Sequence, residues 1–402
     1  MGRSAIFLVI GFTVIFVMTG RNLSSLGTTA FTTAINYFEN TQGHNIAEAG
    51  ANFACNQIFL SPNWRTGYSN VTFGGGTFSV TASPVSGSIS QVQIVSTATY
   101  LGSTYQEIIL LQPSGFSKFG FWGGTGASGA AWETGDTVTG PMHVDGTLET
   151  YGKPVFTGKV TTKTGWNNLL PPQQPQFLGG YQTGVSLPLP TTAFPKLDST
   201  ATAGGYKRVG SDLYLQFNAN GTVTWRNTPA GTATTVPITT LAPNGVLEVD
   251  KGNIYVQGTV NGQLTIFANK SSGSTGGQVF VQNDLVYNSD PRNNPSSTDM
   301  LGIVAMGDVT LLDNGASTFN LMASTYSQAG GLAVQNYNSR NAGVLNVIGG
   351  MIVQNLYATS NGATGASRRG YNLSLQYDQR FLVTSPPSFP STGSYEILSW
   401  WE

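Results

Sequence analysis

A run of apolar residues near the N-terminus constrains this chain more than any other feature. Residues 5–18, AIFLVIGFTVIFVM, are broken only by Gly11 and Thr13 and lie between Arg3 and Arg21. A free-standing transmembrane helix needs about 20 apolar residues, so this run is marginal for spanning. A cleaved secretory signal needs a small-residue cleavage site, which the following TGRNLSSLG does not supply. The run is therefore expected to be a membrane anchor, either alone or continued into a longer helix.

The apolar pattern continues beyond the run at helical spacing. The recurring residues are Leu23, Leu26, Ala30, Ala34, Phe38, Ile46, Ala49, Phe53 and Ile58. No proline occurs before Pro62, and only residues 40–43, Asn-Thr-Gln-Gly, favour a kink. The pattern predicts one helix over residues 4–60, about 85 Å long. Its first part is apolar nearly all round and its second part has one apolar face, so residues 1–60 form a tether that packs on a domain.

This tether resembles the N-terminal helix of type IV pilin-like proteins, in particular the PilX-type minor pilins. The resemblance rests on the short leader, the aliphatic run and the later stretch Ala47-Glu48-Ala49-Gly50. It implies cleavage by a prepilin peptidase after a glycine, extraction from the inner membrane and packing of helix against helix. Either Met1 is the mature end or the cut follows Gly2. The glutamate of major pilins is absent, since Ala5 or Phe7 stands at that position.

The resemblance implies that the apolar part of the helix forms the core of a filament. The expected filament-core residues are Ile6, Phe7, Leu8, Val9, Ile10, Phe12, Val14, Ile15, Phe16, Val17, Leu23, Leu26 and Phe31. Gly11, Gly20 and Gly27 each cost a helix about 1 kcal/mol relative to alanine. They are expected either to let the helix melt or bend during assembly, or to allow close helix packing.

Residues 61–113 are predicted to form a small antiparallel meander. Strand-like segments occur at residues 77–82, 91–100 and 103–112, and Leu101-Gly102 makes a tight connection between the last two. A long helix followed by such a meander is the minimal pilin architecture, so the resemblance extends to about residue 113.

Residues 114–402 are predicted to form a β-solenoid-like head, with a β-sandwich as the alternative. Short β-type runs recur between Gly, Asn and Asp turns without a helical pattern, as in residues 253–258 and 263–266. Prolines between residues 167 and 205 predict a long loop there. The fold class expected is mainly β with one long N-terminal α-helix.

The head resembles an uncharacterised family of bacterial surface proteins whose heads join a pilin-like stalk. The shared segments are residues 135–143, 252–256, 301–305, 377–380, 386–390 and 399–402, which read GDTVTGPMH, GNIYV, LGIVA, YDQR, PPSFP and SWWE. This resemblance implies architecture and no activity.

Composition excludes several classes of function. Only 9% of residues are charged, against about 25% in ordinary soluble proteins, and 18 basic residues nearly balance 19 acidic ones. No basic stripe occurs, so nucleic acid is not an expected partner. Cys55 is the only cysteine, which excludes an intramolecular disulfide, and it is expected to be a buried small apolar residue. With only His44 and His143, a multi-histidine metal site is not expected.

Catalysis has little support in the sequence. The nearest thing to an acidic cluster is formed by Asp290, Asp299, Asp308 and Asp313, and turn aspartates more often bind nearby backbone amides. Calcium among residues 288–299 stays open as a minor hypothesis, because oxygen ligands abound although EF-hand spacing is absent; no other cofactor is expected. His143 near Asp145 is expected to make a structural hydrogen bond.

An aromatic cluster precedes the head: Phe116, Phe119, Phe121, Trp122 and Trp132. These residues are expected to pack the junction between stalk and head, with binding of sugar faces as the alternative.

The sequence thus favours a structural, non-enzymatic subunit of an extracellular type IV pilus-like filament, with a head exposed for adhesion. Expected partners are other copies of the chain, the inner membrane before assembly and the pilus assembly machinery. Two alternatives stay open: a minor pilin or pseudopilin of a pilus or secretion complex, and a membrane-tethered, polysaccharide-active β-solenoid enzyme.

Overall fold

The computed structural model describes residues 2–85, 91–126, 130–189, 194–271, 275–361 and 367–402. The chain divides into two compact units, Met1–Pro113 with Gly393–Glu402, and Ser114–Thr392. The predicted fold class is confirmed, since β-strands dominate and one long helix occupies the N-terminus.

The helices and strands follow one another along the chain in this order: α1 Arg3–Leu60, β1 Tyr68–Phe73, β2 Gly76–Pro84, β3 Val92–Tyr100, β4 Ser103–Gly115, β5 Phe121–Gly126, β6 Trp132–Glu133, β7 Thr137–Val138, β8 Met142–Val144, β9 Thr147–Tyr151, β10 Val155–Phe156, β11 Val160–Thr162, β12 Gly165–Asn168, β13 Gln176–Phe177, β14 Tyr181–Thr183, α2 Pro195–Gly204, β15 Tyr206–Val209, β16 Leu213–Phe217, β17 Thr222–Arg226, β18 Thr234–Pro237, α3 Ile238–Leu241, β19 Val246–Asp250, β20 Ile254–Val260, β21 Gln263–Asn269, β22 Val279–Tyr287, β23 Met300–Ala305, β24 Val309–Leu311, β25 Thr318–Ser327, β26 Leu332–Val334, β27 Gly343–Asn355, β28 Tyr371–Tyr377 and β29 Ser391–Trp401. Short 3-10 turns occupy Phe116–Lys118 and Gln379–Leu382.

In the first unit, α1 is continuous and packs only its C-terminal half on a sheet. The buried face comprises Gly43, Ile46, Ala47, Gly50, Ala51, Ala54 and Ile58. These residues recur at helical spacing and meet inward-facing residues of β2, β3 and β4. Cys55 is half-buried beside this core, and burial raises the pKa of its thiol to about 11.

The helix continues without interruption through residues 40–43, where the sequence favoured a kink. Gly43 lies on the buried face, and a Cβ there would be 2.1 Å from Cε2 of Tyr105. Gly50 has the same role two turns later, where a Cβ would lie 2.5 Å from Oγ of Ser96 and 2.7 Å from the ring of Phe78. Both glycines therefore let the sheet approach the helix closely, and neither breaks it.

The sheet of the first unit has five strands in the order β1-β2-β3-β4-β29. Strands β1 to β4 are antiparallel, and the predicted turn between β3 and β4 uses positive φ angles at Leu101 (48°) and Gly102 (86°). The fifth strand comes from the C-terminus, so Gly393–Glu402 belongs to this unit, whereas the sequence placed all of residues 114–402 in the head. The ends of the second unit are neighbours, because Thr392 Oγ1 donates to the carbonyl of Ser114 at 3.1 Å.

Most strands of the second unit pair in parallel between successive coils of the chain, whereas β16, β17 and β18 form an antiparallel run. One ladder runs in the order β14-β11-β8-β5-β27-β25-β23-β21-β19-β15, and each neighbouring pair is parallel. Parallel pairing between successive coils favours the solenoid-like expectation over the sandwich, whose sheets are antiparallel.

Chain order and stacking order differ in this unit. The chain enters at β5 in the middle of the ladder, builds outward to β14, reappears at the opposite end as β15 and returns coil by coil to β27, which pairs with β5. The described parts of the segment that links the two ends, residues 184–189 and 194–204, are together named the strap here. It lies within the loop predicted at residues 167–205, which also contains β13, β14 and α2.

The ladder places one row of residues on the outer side of the coil core. In stacking order the row is Lys207, Glu248, Phe267, Val304, Tyr326, Ile352, Trp122, His143, Thr161 and Gln182. Strap residues Leu189, Phe194, Leu197 and Ala201 cover the row together with Phe116, Phe119 and Phe389. The Phe194 ring lies 5.7 Å from that of Phe267 and 5.1 Å from that of Tyr326. The strap therefore seals an apolar stripe that would otherwise face water.

Replacement of Gly50 by alanine is expected to destabilise the first unit by about 1–3 kcal/mol, because the added methyl group overlaps Ser96 and Phe78. Gly27→Ala is the matched control, since a Cβ at Gly27 meets nothing within 4 Å. Urea unfolding of the full chain in detergent, followed by tryptophan fluorescence, measures both. Equal stabilities of the two variants would contradict the close approach at Gly50.

Candidate functional site

The N-terminal half of α1 makes no contact that buries it. Every described residue from 2 to 38 is exposed. All the predicted filament-core residues lie there, namely Ile6, Phe7, Leu8, Val9, Ile10, Phe12, Val14, Ile15, Phe16, Val17, Leu23, Leu26 and Phe31, and they are 48% to 75% exposed. We call residues 2–38 the free half of α1. So large an apolar surface is not stable in water and needs a lipid or protein partner.

The polar residues of the free half do little to hydrate it. The hydroxyl groups of Thr13, Thr19, Thr28, Thr29, Thr32 and Thr33 each donate to the carbonyl four residues earlier, at 2.8–2.9 Å. Their donors are satisfied within the helix, so these side chains do not require water. Between residues 4 and 38, Arg21 is the only charged residue.

The helix is long and apolar enough to cross a membrane. Within α1, an 18-residue window has a mean hydropathy of 1.9, and none of that window is buried. No other helix in the described part of the chain meets this criterion. This capacity of α1 to span a membrane is inferred from the length and composition of the helix alone.

The glycines of α1 fall into two groups. A Cβ at Gly11, Gly20 or Gly27 meets nothing within 4 Å, whereas Gly43 and Gly50 are required by packing inside the unit. No contact among the described residues of one chain accounts for the first group. Their roles in melting or in close packing between subunits stay predictions.

A buried carboxylate joins α1 to the C-terminal strand. Glu107 on β4 is 2% exposed, its Oε1 lies 3.2 Å from Nδ1 of His44, and its Oε2 accepts a hydrogen bond of 2.7 Å from Nε1 of Trp400. The Tyr105 ring packs edge-on against His44 at 5.2 Å. His44 entered the sequence analysis only as one of two histidines, and Glu107 was not singled out there. The available signal in the sequence was a glutamate at an inward-facing position of a strand whose residues alternate between buried and more exposed.

Replacement of Trp400 by phenylalanine is expected to cost about 1–3 kcal/mol, because the buried Glu107 loses a donor. Trp401→Phe is the matched control, since Trp401 is the next residue, is 50% exposed and lies on the same strand. Urea unfolding of the full chain in detergent compares the two. A loss of stability of equal size in both variants would contradict a specific role for the hydrogen bond.

His143 lies in the covered row and is fully buried. Its Nδ1 is 2.8 Å from Oγ1 of Thr161, its Nε2 is 3.9 Å from Oδ1 of Asp145, and its ring lies 5.9 Å from that of Trp122. Burial lowers the pKa of His143 from 6.5 to about 4, against the opposing effect of Asp145. The hydrogen bond to Thr161 fits the structural role expected from the sequence.

This buried imidazole is expected to make stability depend on pH. Between pH 6.5 and about 4 the unfolded chain binds a proton that folded His143 does not, so stability falls as the pH falls, by up to about 3 kcal/mol. Asp136 acts in the opposite direction, since burial raises its pKa to about 6. Asp136 contributes equally to the wild type and to His143→Gln, so its effect cancels in the difference between their unfolding free energies. That difference should shrink from pH 7 to pH 4. A difference that does not vary with pH would contradict the neutral, buried imidazole.

The aspartates of the predicted acidic cluster accept hydrogen bonds from backbone amides or pair with arginines. Its members are Asp290, Asp299, Asp308 and Asp313. Asp299 accepts from the amides of Gly262 and Ser289, both at 2.8 Å, and Asp308 accepts from the amide of Gly331 at 3.0 Å. Asp290 and Asp313 pair with arginines. Within the described ranges, no group of three or more His, Cys, Asp and Glu side chains is arranged to hold a metal ion.

A different acid pair, which the sequence did not single out, lines a cavity of about 390 Å³. Asp136 accepts from the amides of Glu133 (2.9 Å) and Leu373 (3.0 Å), while the Glu133 carboxylate binds Arg368 and Ser360. The spacing Glu-x-x-Asp after Trp132 was the available signal. Both carboxylates are engaged by groups of the chain itself, an arrangement that ties neighbouring coils together.

The aromatic cluster before the head is buried. Phe116, Phe119, Phe121, Trp122 and Trp132 are at most 8% exposed and belong to cores of the second unit. Their ring faces are used in packing, with Phe121 and Trp132 edge-to-face at 4.9 Å. In this chain they offer no open face to a sugar.

Comparisons with known proteins give little. No known protein family matches the chain, and no curated protein matches it by sequence. Among solved structures, the chain is similar to the competence-associated pilin ComZ from Thermus thermophilus, with 14% identity and a TM-score of 0.37 over 90% of this chain and 97% of ComZ. This likeness is weak. The PilX-type relationship and the surface-protein family stay predictions.

Proposed function

We propose that this chain is a structural subunit of an extracellular filament of the type IV pilus kind, which assembles by packing the free half of α1 against the same segment of other copies. The observation that carries the proposal is the exposure of every described side chain between residues 2 and 38. Hydrophobic surface of this extent must be removed from water, and parallel packing of helices does this without any further domain.

The length of the free half favours assembly over a simple membrane anchor. Residues 2–38 span about 55 Å, whereas the hydrocarbon core of a bilayer is about 30 Å thick. A bilayer core holds about 20 helical residues, here about residues 5–24. Leu26, Phe31 and Ile35 extend beyond it with 40% to 69% of their surface exposed. These residues need a protein partner, and another copy of the chain offers a matching surface.

The proposed life cycle has two stages. The subunit first resides in the inner membrane through residues 5–18 and is then handed to a filament by assembly machinery, with its β-rich units displayed at the cell surface for adhesion. A minor pilin or pseudopilin needs the same helix. The abundance of this chain in the filament therefore distinguishes a main structural subunit from a minor one. A tethered polysaccharide-active enzyme is the weaker candidate, because Glu133 and Asp136 are bound by groups of the chain.

Leu26→Lys tests the proposal. Leu26 lies in the free half beyond the membrane-sized run and is 67% exposed, so a lysine is harmless in the isolated chain and is buried in a filament. An unpaired buried charge costs several kcal/mol, and each 1.4 kcal/mol is a factor of ten. We therefore expect sheared surface filaments, quantified by mass spectrometry and electron microscopy, to contain at least tenfold less of this variant. The control is Leu178→Lys in the second unit, where the leucine is 68% exposed.

Each outcome has a defined meaning. Loss of Leu26→Lys from filaments, with the chain retained in the membrane fraction and Leu178→Lys unaffected, supports assembly through the helix. Filaments that contain only traces of the wild-type chain would favour the minor subunit. Complete absence of the wild type from filaments would overturn the proposal.

A further inference from the structure

Charged side chains are sparse along α1 and evenly spaced. Among its 58 residues the only Lys, Arg, Asp or Glu side chains are Arg3, Arg21, Glu39 and Glu48. The first three follow one another at intervals of 18 residues. An α-helix has 3.6 residues per turn, so this interval makes about five full turns and about 27 Å. Arg3, Arg21 and Glu39 therefore lie on one face of the helix, which we call the charged face.

Glu39 is the acid of this face. Glu48 lies nine residues further on, about two and a half turns, and so points to the opposite side of the helix. Arg21 is exposed and Glu39 half-buried, and neither side chain forms an ion pair or a hydrogen bond with a described residue. Since about 27 Å separates Arg21 from Glu39 in one chain, they cannot pair with each other there.

Arg21 needs a counter-charge once the free half of α1 is packed among other helices. In a bilayer, where about residues 5–24 occupy the core, Arg21 is near the edge and its long side chain can reach the headgroups. A filament encloses the same residue in protein, where an arginine without a carboxylate partner is strongly unfavourable. Residues 2–38 contain no acid, so the partner must come from outside the free half.

We propose that neighbouring copies in the filament are displaced by about 27 Å along their helices, so that Glu39 of one copy binds Arg21 of the next. This inference rests on the proposed function and specifies the register in which the helices pack. Helical symmetry gives every copy the same orientation toward the filament axis. With the charged face of each copy turned to that axis, Arg21 and Glu39 of copies displaced by their own spacing meet side by side.

Arg3 extends the pattern by one more copy. A third copy, displaced by a further 27 Å or so, brings its Arg3 to the level of the same Glu39. Each carboxylate is then flanked by guanidinium groups of two other copies. Arginine suits such a site, because its planar guanidinium binds a carboxylate through two parallel hydrogen bonds.

Reversal of these charges in the full chain, expressed without the wild type, tests the register. Glu39→Arg places three arginines at one level, so we expect sheared filaments to contain roughly tenfold less of it. Arg21→Glu places two acids beside one arginine and should lower the content about threefold. The double variant again has one acid between two arginines. Its filament content should exceed that of both single variants and return to within about threefold of the wild type.

The matched control combines Glu39→Arg with Arg226→Glu. Arg226 is exposed on β17, so this variant has the composition and net charge of the first double variant but no acid on the charged face. We expect its filament content to stay as low as that of Glu39→Arg. Arg21 and Glu39 are too far apart within one chain for Arg21→Glu to repair a folding defect, so recovery requires contact between copies.

The outcomes separate the register from assembly itself. Recovery with Arg21→Glu and not with Arg226→Glu supports the pair. Where the wild type forms filaments, three results would overturn the pair and leave the filament function in place: a wild-type content in Glu39→Arg, equal recovery in the control, or a double variant no better than the single ones. Absence of the wild type from filaments would overturn both proposals.

Discussion

The register of the parallel ladder is the constraint on which the second unit depends. Side chains alternate between the two faces of a strand, so a slip of one residue would exchange the coil core with the outer row. The observed register sends Ile266 and Ile303 inward and leaves Phe267 and Val304 outward, where the strap covers them. The same register sets Lys207 beside Glu248.

The stacking order explains why the strap exists. Because the chain enters the ladder at its middle, it must cross from one end of the stack to the other before it can close on β5. A connection of this length would expose much backbone and an uncovered stripe unless it packed on the coils. Phe194 and Leu197 of the strap pack on the outer row. This packing holds the connection against the coils and covers the apolar stripe. Closure on β5 also brings residue 392 back to Ser114, from which the last strand joins β4.

One helix carries two different surfaces. Its C-terminal half has a narrow apolar face with glycines that admit Tyr105 and Phe78, and it is satisfied inside the unit. Its N-terminal half is apolar on all sides, satisfies its threonine hydroxyls internally and has no partner within the described chain. The two halves therefore differ in what they need: the C-terminal half is packed within one chain, and the N-terminal half needs lipid or a protein partner.

The sequence by itself determined the helix, the meander and the mainly β class, because hydrophobic periodicity and turn residues such as Leu101-Gly102 are local signals. It also located the free half of α1, since an apolar run with few charges can be recognised from the sequence without knowledge of the fold. Only the tertiary structure decided the role of Gly43, the strand contributed by residues 391–401, and the meetings of Glu107 with Trp400 and of Lys207 with Glu248. These depend on register and closure between segments that are tens to hundreds of residues apart, and no local pattern encodes which distant strands will pair.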